Sequence, residues 1–509
     1  MSEEFFTNYL ILVPLVLLIY YLYCFELKFN HWKNKGVKYA KSIPFFGSVA
    51  SVTLLRENVS EKLKKIYNDF PRERFVGFYQ SNTPVLLIRD LELAKQILVK
   101  DFQHFPNRDN FRKIKYDPLS DNLFYMDVAK WKELRHELAP AFTSAKLKTM
   151  MSTLTEFSYE FNQYVKKLVA HDSQIDVQDL CSNLTTQVIG SCIFGINVDA
   201  INNSKSKFRE MIDKVFQRSF YHLIQRSIGT MSPWLFAKLH MRSMDPEVEQ
   251  FFVSVVKDIV NYRKQNDIQR GDFLQILIDL REQIKPDLTS GSKLSFIMDD
   301  NLLAAQMFIF FAAGFETTSS AMSFCLYELA LNVHIQNRLQ KEIDRTLCEN
   351  DGKLSYDAIM EMEYLDQVLA ETLRKYPPSG SLIRKCESKY TLPETDVILE
   401  KDDLVVISVY ALHHDPKYYP EPEKFDPDRF TKENKESRKQ FSYIPFGEGP
   451  RMCIGQRFAK LQAKIGLISI LKDFEVILCK ETKKPIAFQA ANPILRAKNG
   501  IQLSLQSRY

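Results

Sequence analysis

The chain has 509 residues, 45% apolar and 26% charged, a globular composition with ample material for a large core. A formal net charge of +5 is small for this length and no long basic run accompanies it, which argues against nucleic acid as a partner. The eight cysteines form no Cys-x-x-Cys pair and no tight cluster with histidine, which argues against a zinc site and a disulfide framework.

From Tyr9 to Phe25 the sequence YLILVPLVLLIYYLYCF carries no charge and has the length of a short membrane span. Glu3 and Glu4 precede it, and Lys28, Lys33, Lys35, Lys38 and Lys41 follow. The positive-inside rule then places the body of the protein in the cytoplasm and the extreme amino terminus in the lumen. A cleaved signal peptide is the rival reading; the missing basic n-region and missing small-residue cleavage site argue against it. The expected organisation is a membrane anchor over residues 1–27, a basic, proline-containing connector over 28–48 that ends in KSIPFFGS, and one large domain over 49–509, mainly α with minor β.

PVLLIRD (84–90) predicts a strand, and LELAKQILV a helix directly after it. Residues 109–127 have mixed polarity and read as a long loop. Helical patterning dominates from Val128 to about Asn266, with turn signals at Asn202–Asn203 and Ser232–Pro233. Within it, the aromatic-rich stretch 215–236 reads as helix core or, more sharply, as a pocket roof or second membrane contact. A polar stretch from Gln283 to Lys293 precedes a long apolar helix from about Phe296 to Asn332. Another helix ends at Tyr376, stopped by Pro377 and Pro378. DLVVISVYAL (403–412) predicts a strand, and a final helix starts near Gln456.

Several segments carry polar groups with a choice of roles. In the long helix, Glu316, Thr317 and Thr318 follow Gly314 inside an apolar run, where buried polar groups are costly without partners. They mark either a local kink with threonine back-bonding or a site where an acid and an alcohol relay protons. Glu371 and Arg374 share a helical face at i,i+3, which alone reads as a surface ion pair. Arg429, in FDPDRF, reads as part of a turn. Trp131 and Arg135 lie at i,i+4, either as a stacked pair or as a clamp on an anionic group.

FSYIPFGEGPRMCIGQRF (441–458) is the strongest signal. Its glycines let backbone amides turn toward Cys453, Arg451 adds positive charge, and a helix beginning just after it adds its positive end. A cysteine without protein co-ligands suits a metal whose other ligands are not protein, as in haem, though a buried structural cysteine satisfies the spacing as well.

FGEGPRMCIG (446–455) matches the Phe-x-x-Gly-x-Arg-x-Cys-x-Gly signature of the haem-thiolate monooxygenases, and the chain resembles the cytochrome P450 superfamily. AGFETT (313–318), ETLR (371–374), PDRF (427–430) and WKELR (131–135) resemble further motifs of that family and occur in its order. The finer resemblance is to insect family-6-type microsomal enzymes. It implies Cys453 as thiolate ligand of haem b, with Phe446 and Gly455 beside it and Gly314 in the oxygen-side helix. Arg108, Trp131, Arg135, Arg384 and Arg451 are then the holders of the haem propionates. Thr317 and Glu316 manage water and protons, and Glu371, Arg374 and Arg429 form a buried structural network.

No Gly-x-Gly-x-x-Gly follows a strand, so the implied electrons come from NADPH through a separate flavoprotein reductase, with cytochrome b5 as a possible second donor. Lys130, Lys132, Arg438 and Lys439 are either docking charges for it or merely solvated. The resemblance further implies a monomer in the endoplasmic reticulum membrane that acts on lipophilic small molecules, such as plant toxins or insecticides. A hydroxylase of hormones or other endogenous lipids, and a non-catalytic haem or hydrophobic-ligand binder, are the alternatives. Phe124, Phe216, Phe220, Phe315 and Ile383 are candidates for the pocket lining or for ordinary core.

Overall fold

A computed structural model describes residues 29–43, 46–108, 117–203, 206–216, 232–242, 244–283 and 296–509, with scattered positions in 12–22 and 222–229. Much of the expected anchor therefore lies outside the described residues, as do Phe220, most of 215–231 and most of the polar stretch at 283–293. The described positions between 12 and 22 are helical, and Leu12, Val16 and Ile19 are exposed.

The principal helices are α1 (Val59–Asp69), α2 (Val128–Leu138), α3 (Met151–His171), α4 (Val177–Ile189), α5 (Lys207–Phe216), α6 (Pro246–Gln265), α7 (Phe273–Gln283), α8 (Asp300–Leu331), α9 (Val333–Glu349), α10 (Glu363–Lys375) and α11 (Gln456–Leu471). The strands are β1 (Phe75–Gln80), β2 (Thr83–Ile88), β3 (Gln174–Asp176), β4 (Leu382–Lys385), β5 (Tyr390–Thr391), β6 (Ile398–Leu399), β7 (Leu404–Ile407), β8 (Phe474–Leu478) and β9 (Gln502–Ser507). The fold is mainly helical with minor sheet, as the sequence predicts.

α8 is apolar on most of its circumference, so no single stripe can satisfy it, and most of it is buried by neighbouring elements. Its length and composition would let it cross a membrane, yet most of it lies inside the protein, packed among α4, α6, α10 and α11. The Asp299 carboxylate accepts from Leu302 N–H at 2.8 Å and starts the helix. α10 is started differently: both oxygens of Glu342 accept from the amides of Tyr364 and Leu365 at 2.8 Å.

The main sheet has the order β1-β2-β7-β4, with β2 and β7 parallel and the outer pairs antiparallel. Its strands alternate between two apolar clusters, as a two-residue period demands. Val76, Phe78, Val85, Leu87 and Val406 face one; Tyr79, Leu86, Ile88, Val405 and Ile407 face the other. A smaller sheet, β3-β9-β8, ties the carboxyl terminus to the start of α4.

Residues 29–43 and 46–48 pack onto β1. Trp32 is fully buried, its indole N–H donates to Phe78 O at 3.1 Å, and its ring fills the space where a side chain on Gly77 would stand. Ser48 N–H donates to Tyr79 O at 2.8 Å. The connector therefore leaves the sheet in a fixed direction.

Candidate active site

The loop around Cys453 is folded by its own backbone. Cys453 N–H donates to Phe446 O at 2.9 Å, Gly447 N–H to Ile444 O at 3.0 Å, and Met452 N–H to Gly449 O at 3.0 Å. Gly449 has φ +76°, and a Cβ there would overlap the carbonyl oxygen of Leu98, so no other residue fits. Gly455 caps α11, and its amide lies within bonding reach of the Cys453 sulfur. Burial pushes the Cys453 thiol up, while the Gly455 amide, Arg135 and Arg108 pull it down.

Cys453 is accessible although protein encloses it on all sides, which places its surface on an interior space. The middle of α8 behaves alike. Ala313 is exposed and Thr317 half-buried in the middle of α8, while Phe311, Ala312, Phe315 and Glu316 around them are buried.

Four arginines have been drawn together, none with an ion-pair partner among the described residues, although Asp127 partly offsets the charge of Arg451. Arg451, 3% exposed, donates to Pro106 O at 2.9 Å and Met126 O at 2.7 Å, and stacks 4.0 Å above the Trp131 ring. Arg108 donates to Phe124 O at 2.8 Å and Arg451 O at 3.1 Å. Arg384 is buried on β4, donates to Ile383 O at 2.9 Å and leaves its Nε without a partner. Burial first, then mutual repulsion, pushes Arg108 and Arg451 down; burial alone pushes Arg384 down, and burial pushes Arg135 down against the attraction of Cys453. Guanidinium keeps its proton, so the consequence is a local shortage of negative charge. Among the described residues none of the four pairs with a carboxylate.

Haem fits this donor set. It needs one thiolate, an apolar enclosure and cations for two propionates. The orphaned Arg384 Nε and four guanidiniums without an ion-pair partner among the described residues are the cation side of that match. Among the described residues no three or more His, Cys, Asp or Glu gather to hold a metal.

On α8, Thr317 Oγ1 donates to Ala313 O at 2.6 Å, the back-bond considered from the sequence, and the helix runs on unbroken. Gly314 turns away from that accessible surface: a Cβ there would stand 2.5 Å from Ile189 Cδ1, so its glycine lets α4 approach α8. Glu316 does not bond Thr317. Its carboxylate accepts from Arg496 Nη1 at 3.0 and 3.1 Å and from Asn492 Nδ2 at 3.3 Å. Burial pushes the Glu316 carboxyl up and Arg496 pulls it back.

Glu371 and Arg374 are fully buried and joined through two bonds of 2.7 and 2.8 Å. Arg429 Nε lies 3.6 Å from Glu371, and Asp426 N–H donates to it at 2.9 Å. Arg374 also donates to His413 O at 2.9 Å and Pro422 O at 2.8 Å. The pair that resembled a surface bridge is thus a buried junction between α10 and the chain leading to Cys453.

Among the pocket candidates, Phe315 is fully buried and stacks beside Phe311, so it is core; Ile383, on β4 of the main sheet, is half-buried against one of the sheet's apolar clusters. Phe124 is exposed beneath Arg108. Lys132 and Lys439 are exposed, whereas Lys130 pairs with Asp121 and Arg438 stacks on Phe430. Asn492, Arg496 and His413 were not singled out from sequence; no motif or periodicity marks them.

The family model described as Cytochrome P450 matches residues 37–505. The chain is 39% identical over 479 residues, 94% of each chain, to a protein named probable cytochrome P450 6a13 from Drosophila melanogaster. It is 38% identical over 504 residues to cytochrome P450 6a2 from the same fly, covering 97% of this chain and 98% of the relative. It is 36% identical over 492 residues, 96% of each chain, to cytochrome P450 6B7 from Helicoverpa armigera. With a family match over residues 37–505 and relatives 36–39% identical over 94–97% of its length, the chain belongs to the cytochrome P450 family, monooxygenases that use haem b and electrons from NADPH delivered by a flavoprotein reductase.

Proposed function

We propose that this chain is an anchored monooxygenase of the endoplasmic reticulum membrane that oxidises lipophilic foreign compounds, plant toxins and insecticides among them. The observation that carries the reading is the Cys453 sulfur with the Gly455 amide beside it and four nearby arginines that form no ion pair among the described residues, Arg384 leaving its Nε without a partner. The charge-free run 9–25 supports the anchor, and the packing of residues 29–43 and 46–48 onto β1 supports a fixed exit toward it.

When bound, haem supplies the oxygen-activating and oxidising chemistry. Cys453 holds it from one side, stabilised as an anion by the Gly455 amide and by Arg135 and Arg108. Arg108, Arg135, Arg384 and Arg451 receive its carboxylates, with Trp131 as the platform under Arg451. Thr317 offers a hydroxyl at the accessible stretch of α8, and the Glu316 carboxyl, pushed up by burial, lies one residue away. Glu371, Arg374 and Arg429 fix the backbone that leads into the cysteine loop. Exposed Lys132 and Lys439 are the proposed contacts for the reductase.

The test is spectroscopic. Wild-type protein reduced under carbon monoxide should give the long-wavelength band of a thiolate ligand, and Cys453→Ala should lack it; wild type without haem would overturn the reading. A panel of lipophilic compounds scored by substrate-induced haem shifts, followed by NADPH-dependent turnover with reductase, tests the substrate class. Turnover confined to steroid-like or other endogenous lipids would favour the hormone alternative.

A further inference from the structure

Gln306 is the one polar side chain on α8 between Asn301 and Glu316. It is fully buried, and an amide in that setting is costly unless both of its ends find partners. Both do. Its Oε1 accepts from Leu123 N–H at 2.9 Å, and its Nε2 donates to Asp121 O at 2.9 Å and to Leu302 O at 3.2 Å. An N–H faces one end and carbonyls the other, so the partners themselves fix which end is oxygen.

The turn that Gln306 grips is closed on itself. Asn122 Oδ1 accepts from the amides of Phe124 and Tyr125 at 3.0 and 3.2 Å, and its Nδ2 donates to Leu119 O at 2.7 Å. The Asn122 carbonyl accepts from Tyr125 and Met126 N–H at 3.0 and 2.9 Å. Residues 121–126 therefore hold together as a unit.

The carbonyls of the same turn receive two of the clustered arginines. Arg108 donates to Phe124 O at 2.8 Å; Arg451 donates to Met126 O at 2.7 Å and, at a longer 3.4 Å, to Leu123 O. Arg108 also donates to Arg451 O, two residues before Cys453, at 3.1 Å. A continuous chain of bonds thus runs from α8 through the turn and Arg108 to the thiolate loop. Neither guanidinium has an ion-pair partner among the described residues, so backbone carbonyls decide where they stand. A side chain held in this way is only as well placed as the backbone that holds it.

We infer that Gln306 is a positioning residue: by pinning the 121–126 turn to α8, it sets where Arg108 and Arg451 present their guanidiniums to the haem carboxylates. This rests on the monooxygenase reading, in which those arginines receive the carboxylates. Without the amide, Leu123 N–H and Asp121 O are left buried and unpaired, the turn shifts to relieve them, and both arginines shift with it.

The experiment compares Gln306→Met, Arg108→Met and the double variant as full-length holoproteins. Resonance Raman spectra of the ferric protein read the carboxylates directly: the propionate-bending bands of Q306M should move, with the reduced–carbon monoxide band still that of a thiolate ligand. Haem transfer to an acceptor protein should speed about fivefold in Q306M and about tenfold in R108M. Because both act on the same contact, the double variant should stay near about tenfold instead of reaching the product of the two. Wild-type propionate bands in Q306M, even with a lowered melting temperature, overturn the inference and leave Gln306 a packing residue only. A double variant that reaches the product of the singles overturns it as well. If Q306M does not retain haem, Gln306→Asn takes its place: it keeps an amide in the helix but is one methylene too short to span both partners. Its propionate bands should move in the same direction, and unmoved bands overturn the inference. A wild type lacking the thiolate band under carbon monoxide would instead sink the monooxygenase reading itself.

Discussion

Ile444 N–H donates to His413 Nε2 at 3.0 Å, and the other ring nitrogen of His413 lies 3.2 Å from the carbonyl oxygen of Arg374. The imidazole is thus a bridge between the buried pair on α10 and the loop two residues before Phe446. Its Nε2 must accept and its Nδ1 must donate, which only the neutral ring can do.

The bridge predicts a pH dependence of stability. Burial, then Arg374 and His414, push the His413 pKa well below 6.5, and burial with Lys64 and Arg374 does the same to His414. Unfolded histidines take up protons below about pH 6.5 while the folded ones do not, so stability is constant above that value and falls below it. Each histidine contributes up to about 1.4 kcal/mol per pH unit. Denaturation midpoints of the holoprotein at pH 7.5 and 5.5 should differ accordingly, and His413→Gln should flatten the dependence. H413Q should also cost about 1–3 kcal/mol at pH 7.5 through a buried group left unpaired.

Glu371→Ala and Arg374→Ala should each cost about 3–5 kcal/mol, because each strands a buried charge. Neither residue touches the interior space, so the expected defect is failure to retain haem, measured as the absence of a reduced–carbon monoxide band in purified protein. Normally folded holoprotein from either variant would contradict the network's structural role.

Arg384→Met should speed haem loss to an acceptor protein by about 10- to 100-fold, the equivalent of a charge-assisted bond of roughly 1.5–3 kcal/mol. The folded chain itself gains nothing from an uncompensated buried guanidinium, so thermal stability measured without haem should not fall. A variant that loses stability but holds haem as well as wild type would show that Arg384 serves the sheet instead.

Thr317→Ala removes a hydroxyl whose only protein partner among the described residues is the Ala313 carbonyl. Alanine is the better helix former by up to about 0.7 kcal/mol, so stability should hold or rise slightly. Peroxide released per molecule of product should increase with haem content unchanged; unaltered coupling would remove Thr317 from the proton path.

How much of this was legible in the sequence depended on distance along the chain. The Cys453 loop is written within ten residues, as glycines and an arginine around one thiol, and α8 and α11 announce themselves by composition and periodicity. β7 was read too long: Ser408 accepts from Ala411 N–H at 3.2 Å and turns Val409–His413 into a helix despite its β-branched start. β1 was missed because FVGFYQ carries a glycine, and only the folded protein shows Trp32 filling the gap. Glu316 was visible as a costly carboxylate, but its partner Arg496 lies in a segment with no pattern of its own. A contact between such distant positions leaves no periodic trace.

The main sheet joins β2 to β7, pairing Ile88 with Ile407. On a ribosome adding about 5–20 residues per second, roughly 15–60 s separate the release of those two strands. Throughout that interval the edge of β2 has no neighbour, and its apolar faces lack half their cover. Cys453 emerges later still, and β9, which closes the small sheet, emerges last. A site built on Cys453 can therefore be completed only late in synthesis, and mutations that slow closure of the main sheet should reduce yield during synthesis more than they alter the mature enzyme.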